Sequence, residues 1–206
     1  MTGETITNGP IAFYFDFSSP YGYLGSQRID AIGAEFGHTV IWRPILLGVI
    51  FKVTGQSPLV SQNLRGPYHE RDMVRSARKL GIKFKLAQPF PFSSIYACRV
   101  FYWLDGQSPD TAKAYARAVY NTAFAEGRVV AEAEAAAEIA AALGHERAAV
   151  LAGMQEPAVK ERLRTEVQQA MDKGVFGSPF VIVDGEPFWG NDRLAEVREW
   201  LQTGGW

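Results

Sequence analysis

Residues 11–42 read IAFYFDFSSPYGYLGSQRIDAIGAEFGHTVIW, and the order of patterns within this stretch decides the fold. Ile11 to Phe17 (IAFYFDF) is a short aromatic and β-branched run between Pro10 and Ser18, the composition of a buried strand. Ser19 then offers a helix N-cap and Pro20 an N1 proline. Tyr23, Leu24, Ile29, Ile32 and Phe36 follow at helical spacing as far as Gly37. Thr39 to Trp42 reads as a second strand. Strand, helix and strand make a βαβ opening, expected to cross over right-handed between parallel strands.

Working outward, the middle of the chain is helical. Residues near 68–80, 94–105, 109–126, 131–143 and 157–173 carry helical periodicity, and Ser108 with Pro109 repeats the pairing of cap and N1 proline. Strand signals return at Phe180 to Val183 and Glu186 to Trp189, which flank Asp184-Gly185, a two-residue hairpin signal. Asn191 and Asp192 then open a last helix through Trp200. Neither end segment has enough strands for a covered sheet, so the economical assembly joins them into one four-stranded sheet. The expected fold is α/β and thioredoxin-like (β-α-β … β-β-α), interrupted by a large all-helical insertion. The expected division is a thioredoxin-like domain of residues 1–44 and 171–206 and a helical insertion domain of residues 45–170.

Composition limits the function classes. The single cysteine, Cys98, excludes an intrachain disulfide and fits a reducing, cytoplasmic setting; its apolar surroundings read as core. A net charge of −1 argues against a general nucleic-acid binder. Arg71, Arg75, Arg78 and Lys79 share one helix face, read first as a solvated face and second as a rim that attracts anionic small molecules. The first ten residues lack a signal-peptide pattern, and the apolar run Ile45 to Phe51 is too short to span a bilayer, so neither secretion nor membrane insertion is expected. His38, His69 and His145 have no metal-ligand spacing, and no metal is expected.

Three features carry chemistry. Ser19 lies where an open α/β sheet gathers ligands, beside a helix N-terminus that favours a thiolate, although a plain N-cap serine has the same pattern. Ser178-Pro179 precedes the third strand. It reads either as a simple strand-start proline or as a cis bond that presents the Ser178 backbone to an extended peptide by strand addition. Trp189-Gly190-Asn191-Asp192 offers an acidic side chain and N–H groups at a helix start, which an ordinary cap also explains.

FDFSSPYGYLGSQRI (15–29), WRPILLGVIFKVTGQSPL (42–59) and GVFGSPFVIVDGEPFWGNDRL (174–194) resemble the 2-hydroxychromene-2-carboxylate isomerases, relatives of kappa-class glutathione transferases and DsbA-type oxidoreductases. The resemblance spans nearly the whole chain in the same order. It implies glutathione as cofactor, with catalytic Ser19 hydrogen-bonding its sulfur. Ser178 and Pro179 are then expected to hold the cysteinyl unit, and Trp189, Gly190, Asn191 and Asp192 the γ-glutamyl end. It further implies an aromatic carboxylate substrate met by Lys52, with Gln56 and Arg65 as further candidates, and a homodimer. The implied reaction is cis-trans isomerisation of an unsaturated aromatic keto acid by reversible thiolate addition. A kappa-type transferase and a non-catalytic thioredoxin-like peptide-binding protein are the alternatives. The chain departs from isomerases of naphthalene-pathway intermediates at Phe92-Ser93-Ser94, where they carry tyrosine followed by Asn-Ser. Ser19-Pro20-Tyr21-Gly22 lacks both cysteines of a CxxC motif, which excludes dithiol exchange by this chain alone.

Overall fold

Two pairs of strands from opposite ends of the chain meet in one sheet. The computed structural model describes residues 9–206; residues 1–8, part of the expected amino-terminal segment, lie outside the described residues. β1 (Ile11–Phe15) runs parallel to β2 (Val40–Pro44), with Ile11 opposite Val40 and Phe15 opposite Pro44. β3 (Phe180–Val183) pairs antiparallel with β1, and β4 (Glu186–Trp189) antiparallel with β3, giving the order β2-β1-β3-β4. Asp184 and Gly185 both take positive φ (53° and 88°), as the two-residue hairpin turn requires.

The helix expected after Ser19 is two. α1 (Pro20–Ser26) ends where the Ser26 hydroxyl donates back to the Tyr23 carbonyl at 2.7 Å, and α2 (Ile29–Glu35) starts afresh. A serine hydroxyl bonded to the preceding turn competes with the helical ladder, which periodicity alone does not reveal. α3 (Leu47–Thr54) occupies the short apolar run and stops at Gly55, φ 70°. Next come α4 (Arg65–Leu80), α5 (Ile95–Asp105) and α6 (Pro109–Tyr120), the last running on as one π-helical turn over 121–125. α7 (Ala133–Ala142), α8 (Arg147–Gly153) and α9 (Pro157–Asp172) complete the helical segment. A 3-10 turn at Asn191–Arg193 leads into α10 (Leu194–Thr203).

Helical segment and sheet share one continuous apolar core. Phe15 packs edge-on against Trp42 (5.3 Å between ring centroids) and Phe101 of α5 (6.0 Å), and Tyr102 donates to the Pro44 carbonyl at 2.8 Å. Cys98 is fully buried in that core, where burial pushes its thiol well up. Among the described residues no helix is long and apolar enough to cross a membrane.

Candidate functional site

Asp16 follows β1 directly, and the next turn delivers Ser19 to the start of α1. Ser19 takes extended backbone (φ −106°, ψ 111°), the conformation of an N-cap, and its Oγ accepts the Gly22 N–H at 3.0 Å. The same hydroxyl donates to the Ser178 carbonyl at 3.0 Å, closing a link between residues 159 positions apart. The Ser178-Pro179 bond is cis. Ser19 and Ser178 are both buried, at 6% and 9% exposure, yet both reach a cavity of about 530 Å³.

Asp16 is the hub beneath them. Its N–H donates to Ser178 Oγ (2.9 Å), and its carbonyl accepts from the Ser19 N–H (2.9 Å) and the Tyr120 hydroxyl (2.9 Å). Its carboxylate accepts from Ser18 N–H (2.8 Å) and from Leu47 N–H (2.7 Å) at the start of α3, and also engages the Ser94 side chain ahead of α5. Burial drives this carboxyl above the usual carboxylate range, against those hydrogen bonds, which hold it down.

The cavity is lined by the polar Ser19 and Ser178 together with apolar residues that include Leu47, Phe51, Leu59, Phe90 and Phe92. Phe92 is fixed by its N–H donating to Ser18 Oγ at 3.1 Å. Of the expected substrate contacts, Gln56 and Arg65 line the cavity, and Arg65 is the one cation among the described lining residues. Lys52 does not line it; it is exposed on α3, one residue beyond the lining Phe51, and successive helical residues point about 100° apart.

Trp189 lines the cavity and packs over Gly177, where an added Cβ would sit 2.1 Å from the indole nitrogen. Gly190, Asn191, Asp192 and Pro179 lie outside the lining but abut the site. The Gly190 N–H donates to the Pro179 carbonyl at 3.0 Å, and Arg28 near the end of α1 reaches the Asn191 carbonyl at 3.4 Å. Asn191 is buried and its Oδ1 has no hydrogen-bond partner among the described residues. Asp192 is mostly exposed, 3.5 Å from Arg193.

Sequence reasoning missed Asp16, Tyr120 and Gly22 as parts of this site. A Cβ on Gly22 would lie 2.5 Å from Tyr120 Oη and 2.8 Å from Ser178 Oγ. The signal for Asp16 was present, since an acid inside IAFYFDF has no place in a buried strand without donors around it.

A DSBA-like thioredoxin domain model matches residues 10–202, nearly the whole described chain. The chain belongs to the DSBA-like thioredoxin family. Within that family it is 30% identical to the 2-hydroxychromene-2-carboxylate isomerase of Pseudomonas putida over 89% of this chain and 90% of the relative. It is 26% identical to glutathione S-transferase kappa 2 of Caenorhabditis elegans, over 93% of this chain and 91% of that one. A solved structure of a 2-hydroxychromene-2-carboxylate isomerase superposes with a TM-score of 0.82 at 26% identity, covering 93% of this chain and 94% of the other. This DSBA-like chain carries serine at position 19 and glycine at position 22, so no thiol of its own stands at the start of α1.

Proposed function

We propose that the protein is a glutathione-dependent isomerase acting on an aromatic unsaturated keto acid of the 2-hydroxychromene-2-carboxylate type. The observation that carries this reading is the 3.0 Å bond from Ser19 Oγ to the Ser178 carbonyl, made between two residues that line one largely apolar cavity. It joins the serine turn to the prolyl turn, the two places a cysteinyl unit would need.

The residues present fit glutathione. Next to the cavity lining, Asn191 Oδ1 is a buried acceptor with no donor among the described residues and Asp192 beside it supplies negative charge, a pairing that suits an ammonium group. Ser178, at the bend ahead of β3, would offer its backbone for pairing with a peptide. When bound, glutathione would supply a thiolate whose reversible addition to a conjugated carbon converts a double bond into a single bond free to rotate.

Ser19 holds the proton that matters. Its hydroxyl points at the Ser178 carbonyl at 3.0 Å and, with glutathione bound, would be the donor that stabilises the ionised sulfur at the amino end of α1, while the Ser178 carbonyl would accept from the cysteinyl unit. Arg65, in the cavity wall, meets the substrate carboxylate, and the phenylalanines of the lining exclude water from the ring.

Thiolate absorbance of bound glutathione against pH tests the reading. Ser19→Ala should raise the thiol pKa by about 1 unit or more, since one hydrogen bond to a charged group is worth about 1.5–3 kcal/mol, and should remove most activity while leaving the fold intact. Superimposable titrations of the two proteins would end the proposed role of Ser19. Product analysis separates the neighbouring possibility: a released glutathione conjugate would make the protein a transferase.

A further inference from the structure

Tyr21 stands two residues after Ser19 and lines the cavity. Its hydroxyl donates to Asp72 Oδ2 at 2.8 Å, with His69 Nδ1 at 3.3 Å. With the one phenolic proton on Asp72, the His69 contact is made with Nδ1 as donor. Both partners sit on α4. Asp72 is held in turn by an ion pair with Arg75, which also donates to Tyr68 Oη at 3.3 Å.

α4 depends on that hitch more than its length suggests. Of its residues only Gly66, Met73 and Ala77 are buried, so little apolar surface fastens it to the rest of the molecule. At its first turn it presses against the preceding loop, where Gly66 packs so closely that an added Cβ would lie 2.4 Å from the Val60 carbonyl. α4 also supplies Arg65 and Met73 to the cavity wall. Arg65 and His69 are one turn apart and share a face, so the Tyr21 contact acts on the turn next to Arg65.

We propose that Tyr21 is a positioning residue: its hydroxyl fastens α4 to α1 and thereby holds Arg65 in the cavity wall, where Arg65 anchors the substrate carboxylate. This rests on the proposed function, specifically on Arg65 as the carboxylate partner. Tyr21 does not supply a proton to the reaction, because its proton is committed to Asp72; burial and the Asp72 charge push the phenol far above its ordinary range, so the hitch stays protonated at working pH.

The test uses the full chain with saturating glutathione, 2-naphthoate as an unreactive aromatic carboxylate, and 2-hydroxychromene-2-carboxylate for turnover. Tyr21→Phe keeps the ring and removes the hitch. It should weaken 2-naphthoate binding and raise KM by about tenfold, the size of a lost hydrogen bond to a charged group, with kcat and the glutathione Kd within about twofold of wild type. Arg65→Ala should do at least as much, and the double variant should add nothing to Arg65→Ala, because a positioning residue has no effect once its target is gone. Asp72→Asn, which still accepts from Tyr21, should fall between wild type and Tyr21→Phe. Full additivity of Tyr21→Phe and Arg65→Ala, or a fall in kcat at constant KM, would overturn the role of Tyr21 alone. An Arg65→Ala protein that binds 2-naphthoate normally would overturn the carboxylate anchor and the proposal with it, while a weakened glutathione Kd in Tyr21→Phe would place the residue in the thiol site instead.

Discussion

Gly22 provides the sharpest test of how this site is packed. An alanine Cβ there would stand 2.5 Å from Tyr120 Oη, 2.8 Å from Ser178 Oγ and 3.2 Å from Ser19 Cβ. The tyrosine cannot retreat, because its ring is fully buried among Phe15, Phe17, Tyr23 and Phe124 at centroid distances of 5.6, 5.4, 5.9 and 6.2 Å. Its hydroxyl also holds the Asp16 carbonyl, so displacement breaks a buried hydrogen bond. Overpacking costs about 1–3 kcal/mol and the broken bond about 1–3 kcal/mol more, so Gly22→Ala should destabilise by roughly 2–6 kcal/mol. In a chain of this size that lowers Tm by roughly 4–24 °C. Tyr120→Phe alone should cost about 1 kcal/mol, since the Asp16 carbonyl keeps the Ser19 N–H. The double variant should be less destabilised than the sum of the two singles by about 1–2 kcal/mol, because the phenylalanine vacates the space the methyl group needs. Urea unfolding of the four proteins measures the cycle. A Gly22→Ala protein within about 2 °C of wild type, or strict additivity, would refute the claim that Tyr120 Oη occupies this space.

Two further outcomes follow from burial. Asp16 has a folded pKa above its ordinary value, so its ionisation opposes folding: stability is favoured at low pH and falls as pH rises from about 4 through the raised folded pKa. Asp16→Asn should flatten that limb, so the Tm difference between wild type and variant should change across the window and be constant on either side of it; a pH-independent difference would show that the carboxyl titrates normally. Cys98, fully buried and with its thiol pushed up, should react with a thiol reagent only on unfolding, and stoichiometric labelling of the native protein within minutes would contradict that placement.

How much of this was legible in the sequence depends on the range of the interaction. The strands at Ile11 to Phe17 and Phe180 to Val183, the Asp184-Gly185 turn and the Ser108-Pro109 cap are local signals, and each appears in the structure at or within two residues of its expected position. α3 and α8 were not assigned, being too short for periodicity to rise above chance, and the break after Ser26 depends on one hydroxyl turning inward. Overlooking α3 had a consequence for the site. Once residues 47–54 are helical, Phe51 and Lys52 cannot face the same cavity, and the wall takes Phe51. Ser19 and Ser178 were visible because each stands before a proline at the edge of an element. Their contact was not visible, nor was the bond from Tyr120 to Asp16 across 104 positions, since nothing local records a meeting between distant segments.

The same packing explains why serine at position 19 is more than one substitution away from dithiol chemistry. A protein disulfide needs two Cβ atoms about 3.5–4.5 Å apart with room for both sulfurs between them. At position 22 the volume where a second Cβ would begin already belongs to Tyr120 Oη and Ser178 Oγ, and both of those oxygens are held by the backbone of Asp16. Restoring a cysteine there would have to dislodge the bonds that fix the Ser19 turn and the prolyl turn relative to each other. Stability and site geometry therefore pull in one direction. The network that fixes the Ser19 turn is the network that leaves no space for a resident pair, so on the proposed function the working thiol would have to arrive on a cofactor that enters from the cavity.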